Sequence, residues 1–312
     1  MKTPILLLWF NRPDLSREQI ESLKNFEHEI YIAIDGPRAH RPNDVEKVNQ
    51  CRAIARSAVP SERLLIREEN LGCGRAVDSA ITWFFEHVEQ GIILEDDIFP
   101  SHDFFRFTEE LLNRYAEDER IMCISGDASP LTAEADFNGY SYTFSRFPLI
   151  WGWATWRRAW KKYDRNLKSW PELKRRGDLI GLFNHEDHYH VFYDMCEKIY
   201  HDRVPDIWDY QWLAAMIIEW GLAIIPSVNL IQNKGFSGDG THTNNKNDPR
   251  AQATIKEMRF PLIHPNNVHP YWKVEHDILR YGIGVRKKSF FKRVLKQIFK
   301  IPRDRVSYRK FW

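Results

Sequence analysis

The stretch Gly91-Ile-Ile-Leu-Glu-Asp-Asp-Ile-Phe-Pro100 places three acidic residues directly after a short apolar run. The run at 92–94 is typical of a central parallel strand that is buried on both faces. Ligands of open α/β sheets bind beyond the carboxyl ends of such strands. The adjacent acids Glu95, Asp96 and Asp97 repel one another, and a hard divalent cation would relieve that repulsion. The stretch therefore predicts either a cation site at a sheet edge or a solvated acidic turn.

Apolar runs alternate with amphipathic stretches along most of the chain, which predicts an α/β fold with a mostly parallel central sheet flanked by helices. The runs predict strands at 5–10, 30–34, 63–66, 92–94, 121–124 and 223–226. Helix starts are indicated by Pro13 and by Ser101, a favourable N-cap residue. A helix is also expected at about 44–58.

Each predicted strand ends in polar residues, which are Asn11, Asp35, Asn70, the acids 95–97 and Asp127. Alone, any of them is more often a turn former than a ligand. Together they describe a polar cleft along one sheet edge. Gly72 and Gly74 lack the third glycine of a dinucleotide fingerprint, and no P-loop motif occurs. We therefore expect the cleft to bind phosphates through a metal ion.

The charge of the chain is unevenly distributed. The net charge is +2 over 312 residues, but residues 286–312 carry eleven basic side chains and one acidic side chain. Their phenylalanines recur at helical spacing, which predicts a basic amphipathic helix on an anionic membrane surface. The alternative is a helix packed on the body of the protein. A nucleic-acid partner is not expected, because residues 1–285 are acidic.

No stretch approaches the ~18 apolar residues of a membrane span. The N-terminal apolar run is too short for a signal peptide. The four cysteines are widely spaced and contain no C-x-x-C motif, which favours reduced thiols. The expected location is cytoplasmic, with peripheral attachment to the cytoplasmic membrane face through residues 286–312.

An aromatic, nearly uncharged stretch spans residues 147–156. Its Trp151-Gly152-Trp153 bend could line the cleft and contact a sugar ring, with Trp153 as a substrate-binding residue. The alternative is a core helix, since Trp153, Trp156 and Trp160 fit helical spacing. Trp156 and Trp160 are expected in the core in either case.

Asp209 lies in the predicted first turn of a helix, where a carboxylate is favoured as a simple cap. Its neighbours Trp208 and Trp212 would desolvate it and raise its pKa toward that of a useful base. Asp206 is a rival for that role. Residues 233–243 are rich in glycine, as in a mobile lid. His242 in that loop could reach the metal or a phosphate, or could simply be solvated.

These motifs together resemble the GT-A fold of nucleotide-sugar glycosyltransferases, and especially the β-1,2-N-acetylglucosaminyltransferases of N-glycan and O-mannose synthesis. Bacterial glycosyltransferases of surface polysaccharide synthesis share the same plan. The resemblance covers residues 1 to about 245 and keeps the motifs in order, some with one-residue shifts. The matching segments are Glu95-Asp96-Asp97-Ile98 with Asp103-Phe104-Phe105, Met122–Ser125, Phe147–Trp153, Trp208–Trp212 and Gly240-Thr241-His242.

The resemblance implies roles for particular residues. Asp97 would bind Mn²⁺ or Mg²⁺, which bridges the diphosphate of the donor, and Glu95 and Asp96 would contact ribose or sugar. Asp35 and Asn70 would form the nucleotide pocket with Gly72. Asp209 would deprotonate the acceptor hydroxyl. The remaining residues expected to bind substrate are Asn11, Arg75, Trp153, Asp206 and His242.

The sequence thus predicts a metal-dependent inverting glycosyltransferase that moves a hexosyl or N-acetylhexosaminyl group from a nucleotide-diphosphate sugar to a glycan or lipid-linked acceptor. One alternative is a sugar-phosphate nucleotidyltransferase, although residues 11–14 lack the glycine-rich basic loop expected after its first strand. Another is a non-catalytic carbohydrate-binding protein. The expected organisation is a catalytic domain at 1–245, a packed extension at 246–285 and the basic tail at 286–312.

Overall fold

A computed structural model describes residues 2–132, 137–177, 179–183, 186–203, 206–237 and 249–282. The strands are β1 (Ile5–Trp9), β2 (Ile30–Ile34), β3 (Leu64–Ile66), β4 (Gln90–Glu95), β5 (Ile98–Pro100), β6 (Ile121–Ser125), β7 (Tyr142–Ser145), β8 (Trp153–Trp156), β9 (Leu222–Pro226) and β10 (Ile231–Asn233). The helices are α1 (Pro13–Leu23), α2 (Pro42–Ala58), α3 (Gly72–His87), α4 (His102–Arg114), α5 (Arg157–Trp160), α6 (Trp170–Arg176), α7 (Glu186–Tyr200), α8 (Asp209–Ile218) and α9 (Trp272–Asp277).

Eight strands form one sheet in the order β3-β2-β1-β4-β8-β6-β9-β7, and β5 pairs with β10 in a small second sheet. The strands β3, β2, β1 and β4 are parallel neighbours, as are β6 and β9. The predicted α/β fold with a mostly parallel central sheet is confirmed. Strand β1 pairs with β2 on one side and with β4 on the other, so the strand order reverses at β1. This reversal of strand order creates the crevice in which α/β proteins bind ligands.

The sheet is buried on both faces, as the apolar run at 92–94 predicts. Ile93 packs in a core cluster on one face with α3 and α8, while Ile92 and Leu94 pack in a second cluster on the other face with α4. The predicted cap of α4 is also confirmed, since Ser101 Oγ accepts a hydrogen bond from Phe104 N at 3.2 Å.

The aromatic stretch does not form the core helix that was the alternative interpretation of its spacing. Residues 153–156 form strand β8, which runs antiparallel between β4 and β6. Because neighbours cover β8 on both sides and on both faces, Trp153 is only 1% exposed and Trp156 only 3%. A core helix from Trp153 onward is therefore wrong, and the helix begins at Arg157. The expected core positions of Trp156 and Trp160 are confirmed.

The C-terminal part of the described chain packs on the body of the protein. Tyr271 N donates to Phe144 O at 2.9 Å, and the guanidinium of Arg146 pairs with the buried carboxylate of Glu275. The predicted membrane-binding tail at 286–312 and the predicted lid residue His242 lie outside the described residues. In the part of the chain that the structure describes, no helix has the length and apolar character needed to cross a membrane.

Candidate functional site

A cavity of about 1280 Å³ opens at the carboxyl ends of β1, β2 and β4. Sites for a single small molecule measure roughly 300–1,000 Å³, so this cavity has room for a nucleotide and a second substrate. It brings together most of the residues that the sequence predicts for the site, namely Asn11, Asp35, Asn70, Gly72, Glu95, Asp96, Asp97 and Asp209.

The acidic turn after β4 is held rigidly by a buried amide. The side chain of Gln19, which is 0% exposed, donates from Nε2 to the carbonyls of Glu95 at 2.8 Å and Ile98 at 3.0 Å. Its Oε1 accepts a hydrogen bond from Trp9 Nε1 at 2.7 Å. This clamp ties the turn to β1 and α1. It fixes the carboxylates that project into the cavity.

Arg12 neutralises part of this acidic cluster. Its Nη1 lies 2.8 Å from Asp96 Oδ1 and 3.0 Å from Asp97 Oδ2. Leu8 of β1 is paired with Glu95 of β4, so the loop after β1 lies directly beside the acids. The sequence analysis missed Arg12. The signal that could have identified Arg12 is its position, directly after the first strand and at the same sheet edge as the three acids.

The protonation of the cluster is strongly perturbed. Burial, together with the nearby charges of Asp97, Asp96 and Asp209, raises the pKa of Glu95 to about 8. Burial also raises the pKa of Asp96 to about 7, although Arg12 opposes the rise. Burial therefore disfavours the simultaneous ionisation of Glu95 and Asp96 at neutral pH.

The acids fit a divalent cation in one specific way. Among the described residues, no group of three or more His, Cys, Asp or Glu side chains forms a metal-binding set. A fully protein-made cage is therefore not present there. Mg²⁺ commonly uses one or two carboxylates together with substrate phosphates, and Asp96 and Asp97 suit that mode. The role of Asp97 with Mn²⁺ or Mg²⁺ stays a prediction.

Asp35 organises the loop before α3. Its carboxylate accepts hydrogen bonds from Gly36 N, Leu71 N, Gly72 N and Asn70 Nδ2 at 2.8–3.2 Å. Burial nevertheless raises its pKa above the ordinary value. Because its oxygens are used by the protein, Asp35 shapes the cavity wall at Asn70 and Gly72. The binding of a nucleotide by Asn70 and Gly72 stays a prediction.

Asp206 is part of a latch between two segments and does not line the cavity. Its Oδ2 accepts a hydrogen bond from Gly74 N at 2.9 Å, and its Oδ1 forms an ion pair with Arg165 Nη2 at 2.8 Å. A Cβ on Gly72 would approach Asp206 Oδ2 to 2.2 Å, and one on Gly74 would approach Asp206 Oδ1 to 2.4 Å. The two glycines therefore make room for this carboxylate. The predicted residue Arg75 also lies outside the cavity lining.

Within the bend at 151–153, Trp151 is the aromatic residue that lines the cavity. Trp153 is buried and stacks on Trp208 with ring centroids 5.9 Å apart, so it cannot contact a sugar ring. Trp151 lines the cavity, and the Arg250 guanidinium lies 4.9 Å from its ring centroid. Asp209 begins α8 at the cavity wall, and its charge contributes to the raised pKa of Glu95.

The segments after β2 and β3 give the cavity a basic wall. Arg38 lines it and is paired with Asp44 through Nη2 and Oδ1 at 3.0 Å. The other basic residues of this wall are Arg41, Lys47 and Arg67. The sequence analysis missed this wall. Its cations are spread over a turn, a helix and the end of β3, and form no recognisable motif.

No protein-family model and no curated protein matches the sequence. Among solved structures, a cytidylyltransferase from Leptospira borgpetersenii serovar Hardjo-bovis is 11% identical, with 57% of this chain and 73% of that chain covered and a TM-score of 0.34. A structure described as mannose-1-phosphate geranyltransferase from Thermus thermophilus is 14% identical, with 72% and 74% covered and the same TM-score of 0.34. At these identities the likeness concerns the fold alone.

These matches correct the predicted function. Neither structure is described as a glycosyltransferase, and the first is a nucleotidyltransferase. The comparison therefore agrees better with the nucleotidyltransferase alternative than with the predicted metal-dependent inverting glycosyltransferase. The role of Asp209 as the base for an acceptor hydroxyl belonged to that predicted reaction, and no observation tests it.

Proposed function

We propose that the protein is a sugar-phosphate nucleotidyltransferase with a GT-A-like fold. It transfers the nucleoside monophosphate group of a nucleoside triphosphate to a sugar phosphate and releases pyrophosphate. The observation that carries the proposal is the cavity itself, which is lined both by the acidic turn after β4 and by the basic wall after β2. Its volume of about 1280 Å³ suits two substrates.

The chemistry requires the combination of charges that the cavity offers. An oxygen of the sugar phosphate attacks the α-phosphorus of the triphosphate. The bond between that phosphorus and the α–β bridging oxygen breaks, and pyrophosphate leaves with the electron pair. The attacking oxygen is already anionic, so no base is needed. The main barrier is repulsion between two anionic substrates, which positioned cations reduce.

The acidic turn would hold a divalent cation at the reacting phosphate. Asp97 and Asp96 are the residues that would bind it, and the ion would neutralise charge that develops on the phosphoryl oxygens. Arg12 already provides one positive charge to both carboxylates, at 2.8 and 3.0 Å. The turn is held by Gln19, so the carboxylates need little reorganisation when substrates bind.

The remaining lining residues divide between the two substrates. Asn70 and Gly72 would face the nucleoside, because Asp35 fixes their loop. Trp151 and Asp209 would contact the sugar, Trp151 through its ring and Asp209 by accepting hydrogen bonds from hydroxyls. Glu95 lines the same cavity and would bind ribose or sugar hydroxyls.

The absence of a glycine-rich loop after β1 is the sequence feature that weighed against this function. In the structure, the residues after β1 already serve the acidic turn through Arg12. The β2–α2 segment lines the same cavity with Arg38, Arg41 and Lys47. Cationic side chains are therefore present at the site, although they come from a different loop.

The test is turnover of a substrate panel. The purified protein is incubated with Mg²⁺ or Mn²⁺, each of the four ribonucleoside triphosphates, dTTP, and a set of hexose 1-phosphates, and pyrophosphate release is measured. We expect one pairing to release pyrophosphate and form a nucleotide sugar. Asp97→Asn should lower this release by roughly 10²–10³-fold. The matched control is Asp14→Asn, since Asp14 is an exposed carboxylate with a side chain 97% accessible.

Failure of every pairing, with both metals, would contradict the proposal. Sugar binding without any turnover would instead support the non-catalytic carbohydrate-binding alternative.

A further inference from the structure

Two exposed cations on the basic wall have no acidic partner in the described part of the chain. Arg41 and Lys47 line the cavity and form no ion pair with a described residue. This differs from Arg38 on the same wall, which is paired with Asp44. It also differs from Arg12 on the opposite wall, which is paired with two carboxylates. The described residues therefore do not neutralise the positive charges of Arg41 and Lys47 on the basic wall.

Arg67 adds a third cation, and this one is half-buried. Its Nη2 donates to Ser79 Oγ at 2.7 Å, and it forms no ion pair with a carboxylate of the described residues. Burial lowers its pKa, and the charges of Asp35 and Asp78 only partly compensate from beyond ion-pair distance. A partly desolvated charge without a counter-ion is unfavourable. An anionic ligand in the cavity would relieve that penalty.

The two carboxylates of the β2–α2 segment that line the cavity, Asp35 and Asp44, are already used. Asp44 accepts hydrogen bonds from Arg38 and, at 2.8 Å, from Asn11 Nδ2. Asp35 is held by the loop before α3. Neither can turn toward Arg41, Lys47 or Arg67 without breaking those bonds. The cations therefore remain available to a ligand.

We infer that Arg41, Lys47 and Arg67 form a subsite for the β- and γ-phosphates of a nucleoside triphosphate, and that the leaving pyrophosphate departs from it. This inference rests on the proposed function and extends it, because it assigns the polyphosphate to the wall after β2. The α-phosphate would then lie between this subsite and the acidic turn, which is where the bond to the leaving group breaks.

The experiment measures binding without turnover. Isothermal titration calorimetry of the full chain is performed with inorganic tripolyphosphate and, separately, with inorganic phosphate. The variant is Arg41→Gln/Lys47→Gln. The matched control is Arg56→Gln/Lys161→Gln, which removes the same charge from exposed positions outside the cavity, one of them on α2 itself. All four substitutions are at exposed positions and should leave the fold intact.

We expect the parent and the control to bind tripolyphosphate equally. The cavity variant should bind it about tenfold or more weakly, as expected for the loss of two charge-assisted contacts. Binding of inorganic phosphate should change much less, because it spans fewer cations. Restoring the charge as Arg41→Lys/Lys47→Arg should recover most of the tripolyphosphate affinity.

Equal weakening in the cavity variant and the control would overturn the subsite, because it would reflect net charge alone. No measurable binding of tripolyphosphate to the parent would also overturn it. The outcome is separable from that of the proposed function. A protein that binds tripolyphosphate through Arg41 and Lys47 but releases no pyrophosphate with any substrate pair would retain the subsite and lose the reaction.

Discussion

The two walls of the cavity carry opposite charge, and each wall stabilises its charged side chains in a different way. On the acidic wall, Asp96 and Asp97 share Arg12, and Gln19 fixes the backbone of their turn. On the basic wall, Arg38 pairs with Asp44, while Arg41 and Lys47 are exposed and form no ion pair with a described residue. The charges of the acidic wall are therefore fixed by the fold, whereas two cations of the basic wall are exposed to solvent.

This difference separates the consequences of mutation. Substitutions on the acidic wall should alter both stability and chemistry, because its charges hold strands together at the crevice. Substitutions at the exposed cations of the basic wall should alter binding with little effect on stability. The following predictions test that separation, beginning with the largest effect.

Asp97→Asn should lower the rate of pyrophosphate release by roughly 10²–10³-fold, the usual effect of removing a charge-stabilising group at the reacting centre. Lys47→Gln should chiefly raise the KM for the triphosphate. Steady-state kinetics of the two variants give the comparison. If Lys47→Gln lowers kcat as much as Asp97→Asn does, the two walls do not have separate roles.

Arg12→Gln should destabilise the protein by about 2–3 kcal/mol. Breaking a fully buried pair costs about 3–5 kcal/mol, and Arg12 keeps 19% side-chain exposure, which reduces the effect. Arg41→Gln should stay within about 0.5 kcal/mol of the parent. Urea unfolding measures both. Equal stability of the two variants would mean that Arg12 is not structural.

Gly74→Ala should destabilise the protein by about 1–3 kcal/mol through overpacking. The new Cβ would lie 2.4 Å from Asp206 Oδ1 and 2.6 Å from Ile207 O. The clash would also displace the segment that leads to Asp209. Gly181→Ala is the control, since nothing lies within 4 Å of a Cβ there. Thermal unfolding of both variants checks the prediction, and an unaffected Gly74→Ala would disprove the latch.

The ion pair between Arg38 and Asp44 on the basic wall should make the free energy of unfolding slightly dependent on pH. The hydrogen bonds from Arg38 lower the pKa of Asp44 to about 2. A carboxyl whose folded pKa lies below its unfolded value of about 3.9 stabilises the fold fully above that value, and the contribution is lost as pH falls toward about 2. We expect a loss of about 1 kcal/mol in this range. Arg38→Gln should flatten the stability curve between those pH values, and an unchanged curve would contradict it.

The sequence predicts the sheet edge well because the rule behind it is local. An apolar run followed by acids marks the end of a buried strand, and residues at the ends of neighbouring parallel strands must meet. Asn11, Asp35, Asn70 and the acids at 95–97 all line the cavity for that reason.

The remaining features depend on side-chain packing over long sequence separations. Trp153 fits a cleft or a helix by spacing, yet it lies in β8 because β8 inserts antiparallel between β4 and β6. Asp206 lies among the residues predicted to bind substrate, yet it contacts Gly74, 132 positions away. Arg12 and Gln19 act on residues 76 to 85 positions away. Such contacts leave no periodic pattern for a single sequence to display.

The most direct test of the central claim follows the α-phosphorus during the reaction. The protein is given its best nucleoside triphosphate labelled with ³²P at the α-position, together with the sugar 1-phosphate and Mg²⁺. The account predicts that the label enters the nucleotide sugar while unlabelled pyrophosphate forms in equal amount. Label that stays with the triphosphate, or appears only in nucleoside mono- or diphosphate, would contradict nucleotidyl transfer.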